Sequence, residues 1–300
     1  MKTLEAGKRI GLKNILFATD FSPYSNAALP YALAITRQYG EKLYGTHVVP
    51  FETTSLVAPD YWPGYVQQEE ELQREAAVRL EGQIRRVPHE TISAIGDVWS
   101  VLSRLIDEHA IDLIVVGTHG RTGARKFFMG SIAERIFRQA ACPVLTVGPF
   151  VPSKHDGEIQ FRRILFPTDF GKESLAALPH AISLAEENQS QLALLHVVEQ
   201  PAAGIVDVEG VTTSLVRRLK ELAPAEADLW CDVACVVGFS SQFAPPAERI
   251  LEIAKERGAD LIVLGVRPAH GGASTVTHLA RTTAQQIVAH ATCPVLTIRG

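Results

Sequence analysis

Short apolar runs and longer amphipathic stretches alternate along the first half of the chain. Apolar runs bounded by charged or turn-forming residues predict five strands, near 14–19, 43–49, 89–95, 112–117 and 143–147. Stretches with apolar residues three and four positions apart predict four helices, near 24–39, 66–86, 98–109 and 131–140. Pro23 suits the first turn of the first helix. Buried strands that alternate with helices are typical of a parallel sheet covered on both faces.

The second half of the chain repeats the first. Residues 15–49 match residues 164–198 at a constant offset of 149, and the blocks DLIVVG and CPVLTV recur as DLIVLG and CPVLTI. A period near 150 residues is far too long for a solenoid unit. The sequence therefore predicts two copies of one domain, at residues 1–150 and 151–300, joined by a polar linker at 152–163. We call them the first repeat and the second repeat.

The composition is that of a globular protein, with 46% apolar and 21% charged residues. A formal net charge of -4 and a pI near 6.2 give no basic field, so nucleic acid is not expected as the main partner. The four cysteines lack CxxC spacing, which fits a reducing cytoplasm and predicts no metal site. No apolar run approaches the roughly 20 residues that span a bilayer, and the N-terminus lacks a signal-peptide core. We therefore expect a cytoplasmic protein that does not bind membranes.

A glycine-rich loop, GTHGRTGARKFFMGS at 117–131, follows the fourth predicted strand. Glycines let backbone N–H groups approach phosphate oxygens, and the start of the next helix adds unpaired donors, so the loop suits an anion. Asp20 follows the first strand and would face the same crevice if the first and fourth strands are neighbours. The sequence contains no P-loop motif, and no GxGxxG follows the first strand of either repeat, so any nucleotide site is expected to be of another type.

These residues also have simpler structural interpretations. Gly117 suits a strand-end turn, and Asp20 suits a local turn or cap. Ser131 and Glu134 spell S-x-x-E, the capping box in which a serine side chain accepts a hydrogen bond from an early helix N–H. Other residues with ordinary roles are the solvated cations Arg121, Arg125 and Lys126, the strand-end histidines His47 and His196, and the small buried thiols of Cys142 and Cys293.

The spacing G-x2-G-x9-G-S from Gly117 to Ser131, with ILFATDFS near the start and CPVLTV near the end of the first repeat, resembles the universal stress protein family. The resemblance covers nearly all of both repeats. It implies an α/β fold of two tandem Rossmann-like, doubly wound domains, each a mainly parallel five-stranded sheet with helices on both faces. It also implies that the last strands, 143–147 and 294–298, pair across a pseudo-twofold axis within the chain, which would hide two open sheet edges.

Members of the family with this glycine spacing bind ATP, so the resemblance implies ATP in the first repeat. The implied site residues are Ala18, Thr19, Asp20 and Val48 at the adenosine end, Val116 and Gly117 beside the ribose, and Gly120, Gly130, Ser131 and Ile132 at the phosphates. Asp20 could help to hold Mg²⁺.

The second repeat departs from this pattern after Gly265. Aligned from its last strand, Arg281 stands opposite Gly130 and Thr282 opposite Ser131. The sequence TTAQ from Thr282 still spells T-x-x-Q, a capping box, so the helix start is expected to survive while the phosphate loop is lost. Asp169 stands opposite Asp20, which leaves an adenosine-like or smaller ligand open there, with the bulky Arg281 side chain in the space of the phosphates.

The function expected from these features is that of an ATP-binding regulatory protein with a role in stress responses. No residue is predicted to be catalytic. One alternative is a slow ATP hydrolase, for which Asp20 and His119 are the candidates, although neither has a companion at catalytic spacing. Another is a protein-binding scaffold that does not use ATP. The sequence leaves open whether chains pair further into homodimers.

Overall fold

The structure of the chain is a computed structural model that describes residues 11–50, 62–119, 129–154, 159–199, 207–225, 227, 231–241, 244–267 and 282–300. The elements of the first repeat are β1 (Asn14–Ala18), α1 (Pro23–Asn26), α2 (Leu29–Gln38), β2 (Lys42–Val49), α3 (Trp62–Ile84), β3 (His89–Ile95), α4 (Val98–Glu108), β4 (Leu113–Gly117), α5 (Ser131–Gln139) and β5 (Val144–Val147). Those of the second repeat are β6 (Arg163–Pro167), α6 (Lys172–Ala176), α7 (Leu178–Asn188), β7 (Gln191–Glu199), α8 (Val208–Lys220), β8 (Asp232–Ser240), α9 (Pro246–Glu256), β9 (Leu261–Val266), α10 (Thr283–His290) and β10 (Val295–Arg299). None of the described helices combines the length and the apolar composition that crossing a bilayer requires.

The strands of the described residues form one sheet in the order β3-β2-β1-β4-β5-β10-β9-β6-β7-β8. Within each repeat the strands are parallel and follow the doubly wound order 3-2-1-4-5. β1 lies directly beside β4, with Ala18 opposite Val116. The expected fold of two tandem, Rossmann-like, mainly parallel five-stranded sheets is therefore confirmed, and so is the adjacency of the first and fourth strands.

Helices cover both faces of the sheet. Successive residues of a strand point to opposite sides of the sheet, so neighbouring residues of one strand pack in different apolar clusters. On β1, Ile15 and Phe17 belong to the apolar cluster that includes Leu80 of α3. Leu16, between them, belongs to the cluster on the other face, which includes Leu102 of α4. All five side chains are buried. The sheet is thus the middle layer of three, as the sequence predicts.

The first helix of each repeat is broken, whereas the sequence predicts one helix over 24–39. α1 ends at Asn26 and α2 begins at Leu29. Pro30, in the first turn of α2, has no N–H to donate, and its ring would clash with a carbonyl four residues earlier. Pro179 has the same place in α7. The role of Pro23 in the first turn of α1 is confirmed, and the other predicted boundaries of the first repeat lie within four residues of the observed ones.

The two repeats meet where β5 and β10 pair in antiparallel orientation. Two buried threonines reinforce the pairing. Thr146 Oγ1 donates a hydrogen bond to the Val295 carbonyl at 3.1 Å, and Thr297 Oγ1 donates to the Val144 carbonyl at 3.2 Å. One buried apolar cluster continues from the α2 face of the first repeat to the α7 face of the second. Neither β5 nor β10 is left as an open sheet edge.

His180 of α7 lies at this junction, beside Leu113 and Pro143 of the first repeat, around a cavity of about 20 Å³. Its Nδ1 is buried without a hydrogen-bond partner in the described part of the chain, and burial lowers the pKa of the imidazole. The unfolded chain therefore binds this proton at a higher pH than the folded chain does. Stability conferred by neutral His180 is lost as the pH falls below its ordinary value of about 6.5.

We expect His180→Leu to reduce the acid sensitivity of the folded chain. Between pH 7 and pH 5 the variant should lose less unfolding free energy than the parent, by no more than about 1.4 kcal/mol per pH unit for one proton. Urea unfolding at each pH measures the difference. His89 provides a control of opposite sign, because its hydrogen bond to the Val87 carbonyl raises the pKa of the ring, so His89→Leu should make acid more destabilising. If the unfolding free energies of His180→Leu and the parent fall by the same amount between pH 7 and pH 5, the lowered pKa of His180 is contradicted.

Candidate functional site

A cavity of about 350 Å³ opens at the carboxyl ends of β1, β2 and β4, under α4 and the start of α5. Its size lies within the range of small-molecule sites, which is roughly 300–1,000 Å³. It stands between β1 and β4, where the strand order of the first repeat reverses, and doubly wound sheets bind ligands at that point. We call it the first-repeat cavity.

Nine of the ten residues predicted from the sequence line the first-repeat cavity. They are Ala18, Thr19, Asp20, Val48, Val116, Gly117, Gly130, Ser131 and Ile132. The tenth, Gly120, lies outside the described residues, as do Arg121, Arg125 and Lys126. The structure thus brings residues from three strand ends and one helix start to a single crevice.

Other residues that line the cavity were not among the ten predicted binding residues, although His119 was a candidate for the alternative of an ATP hydrolase. Thr118 and His119 continue directly from β4, and Val98 and Leu102 stand one turn apart at the start of α4. His47, interpreted from the sequence as a strand-end residue, also lines the cavity from the end of β2. The signal that could have found them is position, because each follows closely on the carboxyl end of a strand of the same sheet.

The loop after β1 holds Asp20 by a set of local hydrogen bonds. Ser22 N–H donates to Asp20 Oδ1 at 3.0 Å, and Phe21 N–H donates to Thr19 Oγ1 at 2.9 Å. Thr19 Oγ1 also lies 2.9 Å from Ser25 Oγ of α1. The turn role considered for Asp20 is therefore present, and the same carboxylate lines the cavity.

The side chains of Arg79, Phe21 and His47 form a three-layer stack at this loop. Phe21 has a left-handed backbone, with φ of 62°, which costs a non-glycine residue about 1–3 kcal/mol. Its ring lies between the guanidinium of Arg79, 4.4 Å from the ring centroid, and the ring of His47, 4.5 Å away. The His47 Nδ1 donates to the Thr19 carbonyl at 2.7 Å. The contacts hold the strained residue in place.

The second repeat contains the same stack, in which Arg218, Phe170 and His196 take the corresponding places. Phe170 has a φ of 60°, and His196 Nδ1 donates to the Thr168 carbonyl at 2.8 Å. Because the second repeat lacks the phosphate-loop glycines, we assign the stack to the fold of the loop rather than to a ligand.

Helix α5 begins at the wall of the cavity without a side-chain cap. Its N-cap residue is Gly130, and Ser131 is the first helical residue. The capping box expected from Ser131 and Glu134 is therefore wrong. Glu134 points elsewhere, because it forms an ion pair with Arg138 at 2.9 Å and accepts a hydrogen bond from Gln285 of the second repeat. Within the described residues the Ser131 hydroxyl makes no hydrogen bond, so it is available to a ligand.

Gly117 has a packing role that the sequence interpretation did not include. A Cβ at this position would lie 2.6 Å from the Tyr24 carbonyl oxygen and 2.9 Å from the Ser25 Cα, both in the backbone of α1. Gly265 stands in the same relation to Glu173 and Ser174 of α6. The glycine at the end of the fourth strand is thus required by the close approach of a helix, although Gly117 also lines the cavity.

The corresponding helix of the second repeat is capped by its own side chains. Thr282 Oγ1 accepts a hydrogen bond from the Gln285 N–H at 3.3 Å, and Gln285 Oε1 accepts one from the Thr282 N–H at 3.0 Å. The T-x-x-Q capping box is therefore confirmed. Arg281, expected to occupy phosphate space, lies outside the described residues.

Asp169, opposite Asp20 in the repeat, is bound within its own loop. Its Oδ1 accepts hydrogen bonds from Ser174 Oγ at 2.7 Å and from the Gly171 N–H at 2.8 Å. Burial acts to raise the pKa of Asp169, but these hydrogen bonds outweigh it, and the pKa lies below its ordinary value. The carboxylate is therefore ionised at neutral pH, and its Oδ1 is occupied by hydrogen bonds from its own loop.

Few ionisable groups reach the first-repeat cavity. Asp20 is the one carboxylate among its described lining residues. Thr118 Oγ1 and His119 Nδ1 lie 2.9 Å apart, and the His119 ring lies 5.4 Å from that of Tyr24. No group of three or more His, Cys, Asp or Glu side chains suited to a metal ion is found where the chain is described. The described lining of the cavity is therefore largely uncharged, with one carboxylate, two histidines and the start of α5.

Comparison with known proteins places both repeats in one family. The model of the Universal stress protein family matches residues 11–148 and 160–299. A universal stress protein of Methanocaldococcus jannaschii is 31% identical over 140 residues, covering 45% of this chain and 81% of that protein. Universal stress protein A homolog 1 of Coxiella burnetii is 33% identical over 138 residues, covering 45% and 95%. Each of these two alignments therefore has the length of one repeat.

Solved structures show the same tandem fold. A universal stress protein from Archaeoglobus fulgidus superposes with a TM-score of 0.67 at 22% identity, covering 95% of this chain and 98% of that chain. A protein of unknown function from Pseudomonas aeruginosa superposes with a TM-score of 0.56 at 16% identity, covering 96% and 92%. At such low identity these structures support the fold alone.

Proposed function

The chain belongs to the universal stress protein family, and from this premise we propose that it is a regulatory protein of stress responses that binds one ATP in its first repeat. The second repeat keeps the fold and serves as a partner that has lost the phosphate site. Binding then changes a conformation or an association, and no product is formed. The proposal includes a cytoplasmic location and a boundary between the two domains at residue 150.

The observation that carries this proposal is the unequal start of α5 and α10. In the second repeat the Thr282 hydroxyl accepts a hydrogen bond from the Gln285 N–H in the first turn of α10, and the Gln285 side chain accepts one from the Thr282 N–H. In the first repeat Gly130 offers no side chain, so α5 has no side-chain cap, and Gly130, Ser131 and Ile132 at its start line the cavity. A phosphate group supplies acceptors for the N–H groups of an uncapped helix start, and the positive end of the helix dipole favours its charge.

The roles that we propose follow the order of residues along the cavity. The apolar wall near Ala18 and Val48 would hold the adenine, with Thr19 and Asp20 beside it, and Val116 and Gly117 would lie next to the ribose. Gly120, Gly130, Ser131 and Ile132 would hold the phosphates. A cavity of about 350 Å³ suits a ligand of this class. In the alternative of a slow ATP hydrolase, Asp20 would instead help to hold Mg²⁺ at the phosphates.

We further propose that the pairing of β5 with β10 persists in solution as the contact between the two domains. Buried threonines and a continuous apolar cluster support it. At this junction the last strand of each repeat lies beside the last strand of the other, so the two five-stranded sheets form one ten-stranded sheet.

The experiment that tests this function counts bound nucleotide. The purified protein is denatured, released nucleotide is identified and counted per chain, and added ATP is then followed for turnover. We expect close to one ATP per chain and no steady product. Two ATP per chain would contradict the loss of the second site, steady ADP release would establish an ATP hydrolase, and absence of nucleotide binding would favour a scaffold.

A matched pair of variants tests the phosphate end. Ser131→Ala removes a hydroxyl that would donate to a charged phosphate, so we expect ATP affinity to fall about tenfold or more. Thr282→Ala removes the corresponding hydroxyl of the second repeat. It should lower stability by about 1 kcal/mol through the lost cap and leave ATP affinity unchanged. Calorimetric titration and urea unfolding separate the two results. Equal ATP affinity of Ser131→Ala and the parent would exclude the proposed role of that hydroxyl.

A further inference from the structure

Helix α5 is held by the second repeat at both of its ends. This helix presents Gly130 and Ser131 to the first-repeat cavity. Its position therefore sets where the phosphate donors stand. The residues that fix that position lie about 150 residues away in the sequence, in a repeat that has lost the phosphate-loop motif.

At the start of the helix, the contact is between Glu134 and Gln285. The Gln285 side-chain amide donates to Glu134 Oε1 at 3.4 Å. These residues occupy equivalent positions in the two repeats, so the contact lies on the pseudo-twofold axis. Gln285 uses its other amide atom, Oε1, to accept from the Thr282 N–H. One side chain thus joins the start of α10 to the start of α5.

At the end of the helix, the contact comes from Arg299, the last residue of β10. Its guanidinium donates to the Phe137 carbonyl at 3.3 Å and to the Arg138 carbonyl. Both carbonyls belong to the last turn of α5, where no backbone N–H is available to them within the helix. A cation at this end is also favoured by the helix dipole.

Apolar side chains join the same contact. Phe137 of α5 is part of the buried cluster that otherwise consists of residues of the second repeat, from β9, β10, α9 and α10 among others. Met129, which immediately precedes Gly130, packs against that cluster as well. The residue before the helix start is therefore anchored in the other repeat.

The reverse contact is of a different kind. Gly148 is the equivalent of Arg299 in the first repeat, and a Cβ there would lie 3.5 Å from the Val288 carbonyl oxygen of α10. The Phe150 ring of the first repeat stacks on the His290 ring at the end of α10, with 6.5 Å between the ring centroids. The second repeat thus holds the end of α5 with a cation, whereas an aromatic ring meets the end of α10.

We infer that the second repeat tunes ATP binding in the first, with Gln285 and Arg299 as positioning residues that hold α5 where its N-terminus meets the phosphates. This inference rests on the proposed binding of ATP. Because coupling between sites is reciprocal, bound phosphate strengthens the contact between α5 and the second repeat to the same degree. The second repeat is in this way the part of the chain that senses occupancy.

The test compares ATP with adenosine, because the first residues of α5, Ser131 and Ile132, are proposed to meet the phosphates, which adenosine lacks. Gln285→Glu keeps an acceptor for the Thr282 N–H, and hence the cap, but places two carboxylates together at Glu134. We expect about threefold to tenfold weaker ATP binding with unchanged adenosine binding. Exchanging the partners in the double variant Glu134→Gln/Gln285→Glu restores a donor and an acceptor. Its ATP affinity should return to within about twofold of the parent.

Arg299 gives a second, independent test. Arg299→Ala should weaken ATP binding by about tenfold, and Arg299→Lys, which retains a cationic donor, should recover part of the loss. Arg249→Ala removes a cation of α9 that pairs with Glu252 and Glu256 of the same helix, and it should leave ATP affinity unchanged. Circular dichroism and thermal unfolding establish that each variant is folded.

The outcomes separate this inference from the proposed function. If the parent binds ATP no more tightly than adenosine, the proposed phosphate site is wrong and the inference fails with it. If the parent prefers ATP but the Gln285 and Arg299 variants bind it as the parent does, the proposed function stands and the positioning role is overturned. Equal losses for ATP and adenosine would show a general structural effect and would also overturn it.

Discussion

Replacing Gly130 by arginine is expected to lower the affinity for ATP by at least about 100-fold while leaving the chain folded. Gly130 has φ of −61° and ψ of 151°, a conformation that any residue adopts, so the backbone tolerates the change. The new side chain would stand at the wall of the first-repeat cavity, in the space proposed for the phosphates. Losing two hydrogen bonds to a charged group is sufficient for an effect of this size.

Calorimetric titration with ATP measures the loss, and Gly82→Arg is the matched control. Gly82 lies in α3 with open space around its Cβ position, so the same change there adds a cation far from the cavity. It should leave ATP affinity unchanged. Gly130→Ala should give an intermediate loss. ATP binding by Gly130→Arg at the affinity of the parent would show that the α5 start does not contact phosphate, and would also remove the steric argument from Arg281.

Replacing Gly265 by alanine is expected to lower the unfolding free energy by about 3 kcal/mol or more, and replacing Gly117 by about 1–3 kcal/mol. In both cases a Cβ would meet the backbone of a short helix, and backbone cannot move aside as a side chain can. The approach is closer at Gly265, where the Cβ would overlap the Glu173 carbonyl oxygen. The larger effect therefore falls in the second repeat, whose sequence departs from the glycine spacing of the first.

Urea unfolding measures both losses, with Gly82→Ala as the control. Alanine in place of an unobstructed helical glycine should stabilise the chain by about 0.5–1 kcal/mol. If the unfolding free energy of Gly265→Ala equals that of the parent, α6 can move away from β9 without loss of stability. In that event the retention of glycine at both strand ends would need a different explanation.

The sequence predicted the strands and the order of elements well, because each buried strand is a compact apolar run and each helix has an apolar face. It did not predict the break between α1 and α2. The residues around Pro30 continue the helical pattern, and proline is acceptable in a first turn. The sequence is therefore compatible with one helix or with two. The structure has two helices, and the first of them, α1, packs closely against β4 at Gly117.

For the site, the sequence identified residues that the structure places around one cavity, but it could not assign each a role. Ser131 and Glu134 match a capping box, and the structure departs from it because Glu134 bonds to Gln285, a partner 151 positions away. No local pattern contains that contact. Gly117 is different, since a signal was present. The same glycine stands at 265 in a repeat without the phosphate loop, which indicates a role in packing.

The junction between β5 and β10 has a consequence for how such a protein can change over time. In a symmetric pair of identical chains, every substitution appears twice, and a residue on the axis meets its own copy. Here the two halves are covalently joined, so Glu134 faces Gln285 and Gly148 stands where its counterpart is Arg299. One half is free to lose its ligand and become a dedicated support for the other. The chain therefore resembles a heterodimer whose two halves are covalently joined. The halves cannot dissociate, and they are always produced in equal amounts.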